Sequence, residues 1–383
     1  MASHGIPRVS AATFDKSEQA RNRERRPIEQ YQTLETAVID RVKAKDYSDA
    51  TFQLTSQLLT QNPEYYTIWN HRRRVLQHVF AQELATPPPP SAAQDDDSAP
   101  ADPSGLPPAQ HEIFLLITED LRFLIPLLKQ YPKCYWIWNH RSWLLSAATK
   151  HLPPATAAEL WMGELGLVGK MLALDSRNFH GWGYRREVVQ ALERLSRGSG
   201  KSGDGSMVER EFAYTTQMVH TNLSNFSAWH YRSQLIPRLL DLRHADTEKR
   251  TQFLDAEFEL ITKALYTDPY DQSLWFYHQY LMATLDPDNA QAPAILDQCG
   301  VEEQRKYLEQ ELESVLEMLD GAEDCKYIYQ ALLEYSSRLR SDGGPSHEAV
   351  ANRGAMEGWL QELRKIDPLR EGRWKDLGTK MSL

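Results

Sequence analysis

A short signature recurs along the chain and limits what it can fold into. It reads Trp-x-x-Arg four times, and a fifth copy keeps the Trp but ends in His: Trp69–Arg72, Trp138–Arg141, Trp182–Arg185, Trp229–Arg232 and Trp275–His278. The successive Trp residues are 69, 44, 47 and 46 positions apart. A tandem unit of about 45 residues is typical of helical solenoids, in which each unit packs on its neighbours.

The long first spacing has a cause in the sequence. Residues 86–110 are rich in Pro, Ala and Asp, and without these 25 residues the first spacing falls to 44. Such a composition cannot bury enough apolar surface to offset the entropy of ordering it. We therefore predict a disordered insert at 86–110. The Gly- and Ser-rich residues 196–206 predict a second, flexible loop.

Each unit is predicted to be a pair of helices. The Trp helix carries further apolar residues six and seven positions on, which lie on the same face as the Trp. A capping or helix-breaking residue precedes it, such as Asn62-Pro63 or Asp268-Pro269. About 18 residues before the Trp, an acid stands at the start of an apolar segment in four repeats: Glu119, Glu164, Glu211 and Glu257.

These patterns predict an all-α fold, a right-handed α–α superhelix of helical pairs. We expect a flexible arm at residues 1–26, the solenoid at 27–340, and a C-terminal helix with a capping segment at 341–383. The segment Lys326–Arg340 resembles a further helix that lacks the Trp.

The repeated Trp and Arg are predicted to serve the architecture. A Trp at a fixed place in every unit is most simply the side chain that packs one helical pair on the next. The Arg three residues later lies on the same face, where it can pair with a helix acid or with turn carbonyls of a neighbouring repeat.

Composition excludes several classes of protein. The net charge of −10 argues against a nucleic-acid binder, which needs a basic surface. The three Cys residues are widely separated and form neither a disulfide framework nor a zinc motif. The N-terminus has no apolar signal-peptide region, and no apolar run approaches the roughly 18 residues of a membrane span. We therefore expect a cytoplasmic protein.

The residues alone assemble no active site. His71, His140, His180 and His230 gather near the starts of successive Trp helices, but at different offsets, so they predict no metal site. Gly198–Ser202 looks like part of a phosphate-binding loop, yet Leu195 stands where the first Gly is required.

The five repeats resemble those of the α subunits of protein prenyltransferases. The similarity covers roughly residues 27–340, and it is greatest to the Rab geranylgeranyltransferase (type II) branch in its compact fungal form. The residues that carry it are Leu54–Leu58, Asn62-Pro63, Arg177–His180 with Trp182 and Tyr184–Arg186, and Ser227–Ser233 with Ile236-Pro237. His4-Gly5 and Ser17–Gln19 are also similar to this branch. The resemblance implies a heterodimer with a β subunit, which holds the catalytic zinc and most of the isoprenoid pocket.

The implied reaction transfers geranylgeranyl from geranylgeranyl diphosphate to C-terminal cysteines of Rab GTPases, which the Rab escort protein presents. A thiolate would attack the allylic carbon, with zinc lowering the thiol pKa. This chain would supply the scaffold, the pocket rim and part of the escort-protein docking surface, and it would bind no metal itself.

Two residues become candidates through the resemblance. In the branch shared by farnesyltransferase and geranylgeranyltransferase I, a Lys before the Asn of repeat three is directed at the diphosphate, and that position is Arg177 here. Arg177 and His180 are therefore the candidates for approaching the active site. His4, in the arm, is a candidate autoinhibitory ligand of the zinc on the partner β subunit.

Two alternatives remain open. One is the α subunit of farnesyltransferase and geranylgeranyltransferase I. The other is a non-catalytic adaptor of the tetratricopeptide type, although units of that type are nearer 34 residues long.

Overall fold

The computed structural model describes residues 18–86, 105–198, 207–286, 289, 292–296, 299–341 and 352–383. Within these ranges the regular elements are all helical, so the all-α prediction is confirmed. The helices are α1 Glu18–Lys43, α2 Asp49–Gln61, α3 Tyr66–Ala85, α4 Pro108–Gln130, α5 Tyr135–His151, α6 Pro154–Leu174, α7 Phe179–Gly198, α8 Met207–Thr221, α9 Phe226–Leu242, α10 Thr247–Thr267, α11 Gln272–Ala283, α12 Val301–Glu317, α13 Lys326–Ser341, α14 Arg353–Ile366, a 3-10 turn at Pro368–Arg370, and α15 Glu371–Lys380.

Helix boundaries correct three of the predicted segment limits. α1 begins at Glu18, so residues 18–26 belong to a helix rather than to an irregular arm. α4 begins at Pro108, which suits the first helical turn because its missing N–H would have no partner there. α7 continues to Gly198, three residues into the predicted loop. The remainder of the arm, with His4, and residues 87–104 and 199–206 lie outside the described residues.

The chain forms two compact units. The first contains residues 1–174 and 180–199, and the second contains residues 175–179 and 200–383. In the first unit, α2 pairs with α3 and α4 with α5; in the second, α8 pairs with α9, α10 with α11 and α12 with α13. None of the helices in the described ranges combines the length and apolar character that crossing a bilayer requires.

The repeated Trp side chains are buried, and four of them form the same kind of hydrogen bond. The indole Nε1–H donates to the backbone carbonyl six residues earlier, inside the turn that joins the two helices: Trp69 to Pro63, Trp138 to Pro132, Trp229 to Leu223 and Trp275 to Pro269, at 2.7–2.9 Å. A large apolar ring thus fills the space between helices while its one polar atom fixes the turn.

A sixth copy of this arrangement exists without a Trp. The Tyr329 hydroxyl on α13 donates to the Glu323 carbonyl, again six residues earlier, at 2.7 Å. The helix predicted at Lys326–Arg340 is confirmed as α13. Its register shows that Tyr329 occupies the Trp position.

The repeated Arg side chains form buried ion pairs with an acid of the following repeat. In the first unit, Arg72 Nε and Asp120 Oδ1 are 3.0 Å apart, and Arg141 Nε and Glu164 Oε2 are 2.9 Å apart. The second unit repeats this between Arg232 and Glu257, at 2.8 Å. All of these side chains are buried.

A third side chain, two residues after the Trp, forms a hydrogen bond with the acid of each ion pair. His140 Nε2 lies 2.8 Å from Asp120 Oδ2, and the Tyr184 hydroxyl donates to Glu164 at 2.6 Å. In the second unit, the Tyr277 hydroxyl donates to Glu257. Burial and the neighbouring carboxylate raise the pKa of both tyrosines well above the ordinary value, so they remain donors.

One predicted acid was placed one residue too early. Glu119 is exposed, and the buried partner of Arg72 is Asp120, which lies 18 residues before Trp138 as Glu164 lies 18 before Trp182. Burial alone would raise the pKa of Asp120, but Arg72 and His140 outweigh it and hold that pKa at about 2.

The interior pairing changes at the fifth repeat. His278 replaces the Arg, its Nε2 lies 2.7 Å from Glu311 Oε2, and the Tyr335 hydroxyl lies 2.7 Å from its Nδ1. A separate apolar cluster then closes the C-terminal end, in which Trp374 packs with Leu360 and Leu363 of α14.

Candidate functional site

The two helices of each repeat are joined by a turn of constant length. In four of the five turns, the side-chain oxygen of the first residue accepts a hydrogen bond from the backbone N–H two residues later, at 3.1–3.2 Å. These first residues are Asn62, Asp175, Asn222 and Asp268. This local bond fixes the turn and directs its third residue outward. The third residues are Glu64, Lys133, Arg177, Ser224 and Tyr270.

Arg177 is the outward residue of the third turn, and it belongs to the second unit. Its backbone N–H donates to Asp175 Oδ1 at 3.2 Å, and its side chain is exposed. Its guanidinium forms no ion pair or side-chain hydrogen bond with the part of the chain that the structure describes. It is therefore a cation available to an anion from outside.

The turn of Arg177 is held by the next turn of the same unit. Asn225 Nδ2 donates to the Ser176 carbonyl at 2.8 Å, and Asn222 Nδ2 donates to Ser176 Oγ at 3.0 Å. Similar bonds recur along the chain, where Cys134 Sγ lies 3.5 Å from the Pro63 carbonyl and Cys325 Sγ 3.0 Å from that of Pro269. Neighbouring turns are thus tied edge to edge within each unit.

His180 lies in the first turn of α7 and belongs to the first unit. Its ring is half-buried, with its centroid 6.2 Å from that of Tyr135. Burial lowers the pKa of His180, and Glu64 opposes this without reversing it. The side chain is therefore mainly neutral at pH 7, so it acts as an aromatic hydrogen-bonding group rather than as a second cation.

The other histidines near the helix starts differ in their surroundings. His71 and His140 are buried, with Nε2 of His71 lying 3.2 Å from the Asp46 carbonyl. His230 is exposed and stacks on Phe226, their ring centroids 5.8 Å apart.

The groups in the part of the chain that the structure describes do not fit a zinc ion. Within the described ranges, no three His, Cys, Asp or Glu side chains come together as a metal site. Burial raises the pKa of Cys134 and of Cys299 to about 11 and raises that of Cys325, so all three thiols are protonated at neutral pH. A zinc site needs thiolates or unprotonated imidazoles grouped in space. The location of zinc on a β subunit stays a prediction.

Sequence reasoning missed a row of exposed aromatic residues. They stand three residues before the repeated Trp, at the start of its helix: Tyr66, Tyr135, Phe179 and Phe226, exposed by 54%, 51%, 66% and 48%. The signal was available, because four aromatic residues share one repeat position. Exposed rings at one position of four repeats, two in each unit, indicate that each unit has a surface that contacts another molecule.

Comparisons with known proteins agree with this architecture. A family model described as the protein prenyltransferase alpha subunit repeat matches residues 48–79, 117–148, 161–192, 208–239 and 254–285. A chain in a solved structure, titled Candida albicans protein geranylgeranyltransferase-I complexed with GGPP, aligns with a TM-score of 0.57 and 17% identity over 92% of this chain and 91% of that one. At that identity the likeness shows the fold.

Curated relatives carry the comparison further. The geranylgeranyl transferase type-2 subunit alpha of Saccharomyces cerevisiae is 32% identical over 98% of this chain and 98% of its own length. The protein of that name from Schizosaccharomyces pombe is 32% identical over 99% and 98%. The human one is 33% identical over 75% of this chain, but the match covers 43% of the human protein. The chain belongs to the geranylgeranyl transferase type-2 alpha subunit family.

Proposed function

We propose that this chain, together with a β subunit, transfers geranylgeranyl from geranylgeranyl diphosphate to C-terminal cysteines of Rab GTPases. The observation that carries the proposal is the similarity to type-2 alpha subunits over 98% of both chains, together with five matches to the prenyltransferase alpha subunit repeat. The Rab escort protein would present the substrate, and the reaction would take place in the cytoplasm.

The interior of the chain supports a scaffold role. Its buried charges form the ion pairs that join successive repeats, and its thiols are held protonated. A nucleophile or metal centre is therefore expected from the β subunit, where the resemblance locates the zinc. This chain would contribute a pocket rim and a docking surface.

Arg177 is the residue that we propose to face the diphosphate. The leaving group is a polyanion, and an exposed guanidinium fixed on a rigid turn stabilises the negative charge that develops on it. Lys133 occupies the same turn position in the second repeat and is also exposed, which makes it a second candidate. His180 would contribute to the rim as a neutral ring.

The direct test is reconstitution. The chain is co-expressed with its cognate type-2 β subunit, and transfer of labelled geranylgeranyl to a Rab GTPase is measured with escort protein present. We expect a stable heterodimer and transfer that requires both chains. A chain that remains monomeric with every β subunit tried, and supports no transfer, would be an adaptor and would end the proposal.

The same assay separates the prenyltransferase branches. If peptides that end in a single-cysteine CaaX sequence are prenylated and Rab with escort protein is not, the chain serves farnesyltransferase or geranylgeranyltransferase I. Transfer to Rab alone supports the type-2 function.

Substituting Arg177 tests its proposed role. Arg177→Ala should lower kcat about tenfold with the heterodimer intact, as expected for one charge-assisted contact, and Arg177→Lys should restore most of it. Tyr270→Ala, at the same turn position two repeats later, is the matched control and should leave kcat unchanged. An Arg177→Ala enzyme with unaltered kcat removes the residue from the site, whereas complete loss would make it essential to catalysis.

A further inference from the structure

An open groove lies between α9 and α11, two consecutive Trp helices of the second unit. Its volume is about 530 Å³, and its floor contains Trp229 and Tyr277, whose ring centroids are 4.7 Å apart. Phe226 and Phe276 stand at its mouth in an edge-to-face arrangement, 5.8 Å between centroids. Both rings are about half-exposed, at 48% and 47%.

A small residue lines the groove four positions after the repeated Trp. Ser233 lies four residues after Trp229, and its hydroxyl turns back to donate to the His230 carbonyl at 2.7 Å. In the first repeat the same position is Arg73, which reaches from α3 to α5 and donates to Asn139 Oδ1 at 2.6 Å. The side chain at this position therefore bridges the cleft between α3 and α5. The cleft between α9 and α11 is crossed instead by Tyr280 of α11, whose hydroxyl donates to the Ser233 carbonyl at 2.9 Å, and the groove remains beside it.

The lining determines the chemistry of the occupant. Phe226, Phe276, Pro237 and Pro293 give the groove apolar walls, and His230 and Gln234 supply polar atoms at the rim. None of the lining residues is acidic, so a Lys or Arg side chain would enter without a counter-charge, which is costly. A large apolar or aromatic side chain fits, as in the anchor pockets of protein interfaces.

The groove is continuous with the turns that carry Arg177. Asn225, immediately before Phe226, donates to the carbonyl of Ser176, which precedes Arg177. The next turn is attached in the same way, through Ser224 and Asp271 and through Ser273 Oγ, which lies 3.4 Å from the Ser224 carbonyl. Arg177 and the mouth of the groove therefore lie on one hydrogen-bonded edge of the second unit.

We propose that the groove between α9 and α11 is an anchor site, which binds a large apolar side chain of the prenyltransferase β subunit. The inference rests on the proposed function, since the edge that presents Arg177 to the active site must face that subunit. A protein that faces Arg177 also covers Phe226 and Phe276, and burial of two half-exposed rings stabilises the complex.

The test measures the dissociation constant of the heterodimer by calorimetry, using the full chain and its cognate type-2 β subunit. Phe226→Ala and Phe276→Ala should each weaken binding about tenfold, and the double variant about 100-fold. Ser233→Met, which fills the groove from inside, should weaken binding while both rings remain. Leu242→Ala, on the same helix with 43% exposure but outside the groove, is the control and should bind as the wild type does.

The outcomes separate this inference from the proposed function. If the wild-type chain binds no β subunit, both fail. If the wild type binds and the double variant and Ser233→Met bind equally well, the anchor site is wrong and the proposed function stands. If sedimentation shows wild-type self-association that the double variant abolishes, the occupant is a second copy and the inference is overturned. Unchanged binding with raised KM for geranylgeranyl diphosphate would assign the groove to the isoprenoid and equally overturn it.

Discussion

The cleft between α3 and α5 and the cleft between α9 and α11 are built on the same repeat plan but end differently. Both carry an Arg, an acid and a third donor in the interior: Arg72, Asp120 and His140 in one, and Arg232, Glu257 and Tyr277 in the other. Four residues after the Trp they diverge: the Arg73 side chain bridges the first cleft, whereas the short Ser233 side chain stays on its own helix and leaves a groove beside the Tyr280 contact.

The comparison distinguishes two kinds of position within one repeat: the buried triad and the position just outside it. The buried triads hold consecutive repeats together, and they recur with little variation in chemistry. The position just outside them changes from a long cation to a small hydroxyl, which alters the surface without changing the packing beneath. Function in a repeat protein is therefore expected at positions that vary more than the interior ion pairs do.

Breaking the shared triads should produce the largest effect, and a similar one in both regions. Arg72→Met leaves Asp120 buried without its cation, and Arg232→Met does the same to Glu257. Removing one partner of a buried ion pair costs about 3–5 kcal/mol, so each variant should lose that much free energy of unfolding in urea titrations.

The exposed pair between Arg243 and Glu209, 43% and 39% exposed, provides the control. Arg243→Met should cost less than about 1 kcal/mol, since solvent screens such a pair. Equal losses for the buried and exposed variants would show that the triads do not hold the repeats together.

Opening the bridged cleft should have the next largest effect. Arg73→Ser reproduces the α9–α11 arrangement in the first unit, and it removes the donors to Asn139 and to His140 Nδ1. It also removes a side chain whose guanidinium lies 5.8 Å from the Trp143 ring. We expect a loss of about 2 kcal/mol, because a buried acceptor is left without its partner.

Arg74→Ser is the matched control, because Arg74 is the exposed neighbour on the same helix. It should change the free energy of unfolding by less than about 0.5 kcal/mol. If the two variants were equally stable, the bridge from α3 to α5 would be a surface contact and the contrast with the open cleft would lose its meaning.

Much of the fold followed from the sequence, because it rests on local periodicity. The Trp spacing and the residues of the turns identified the helical pairs, and the acids Glu164 and Glu257 proved to be the Arg partners. The error at Glu119 arose because two acids stand side by side, and a shift of one residue turns a helical side chain by about 100°.

The site was harder to predict, since it depends on contacts between repeats. Tyr329 was not identified as a Trp equivalent because another side chain makes the same bond to the turn. The groove depends on whether Ser233 or Arg73 reaches the next helix, which no single repeat reveals. The outward position of Arg177 follows from the turn bond of Asp175, and that bond could have been inferred from the turn sequence.

The smallest expected effect distinguishes the third members of the triads by their response to pH. Burial lowers the pKa of His140, and its Nδ1 already accepts from Arg73 Nε at 3.2 Å, so protonation would break that bond. Below the unfolded value near 6.5 the unfolded chain binds the extra proton and the folded chain does not, so stability falls as pH decreases from 7 to 5. Tyr277, at the same position in the other cleft, keeps its proton throughout this range.

Urea titrations at several pH values measure how the free energy of unfolding changes with pH. His140→Gln should reduce this slope, by about 1 kcal/mol over the interval, and Tyr277→Phe should leave it unchanged. A slope unaffected by His140→Gln would mean that the pKa of His140 is the same in the folded and unfolded chains, and would contradict this prediction.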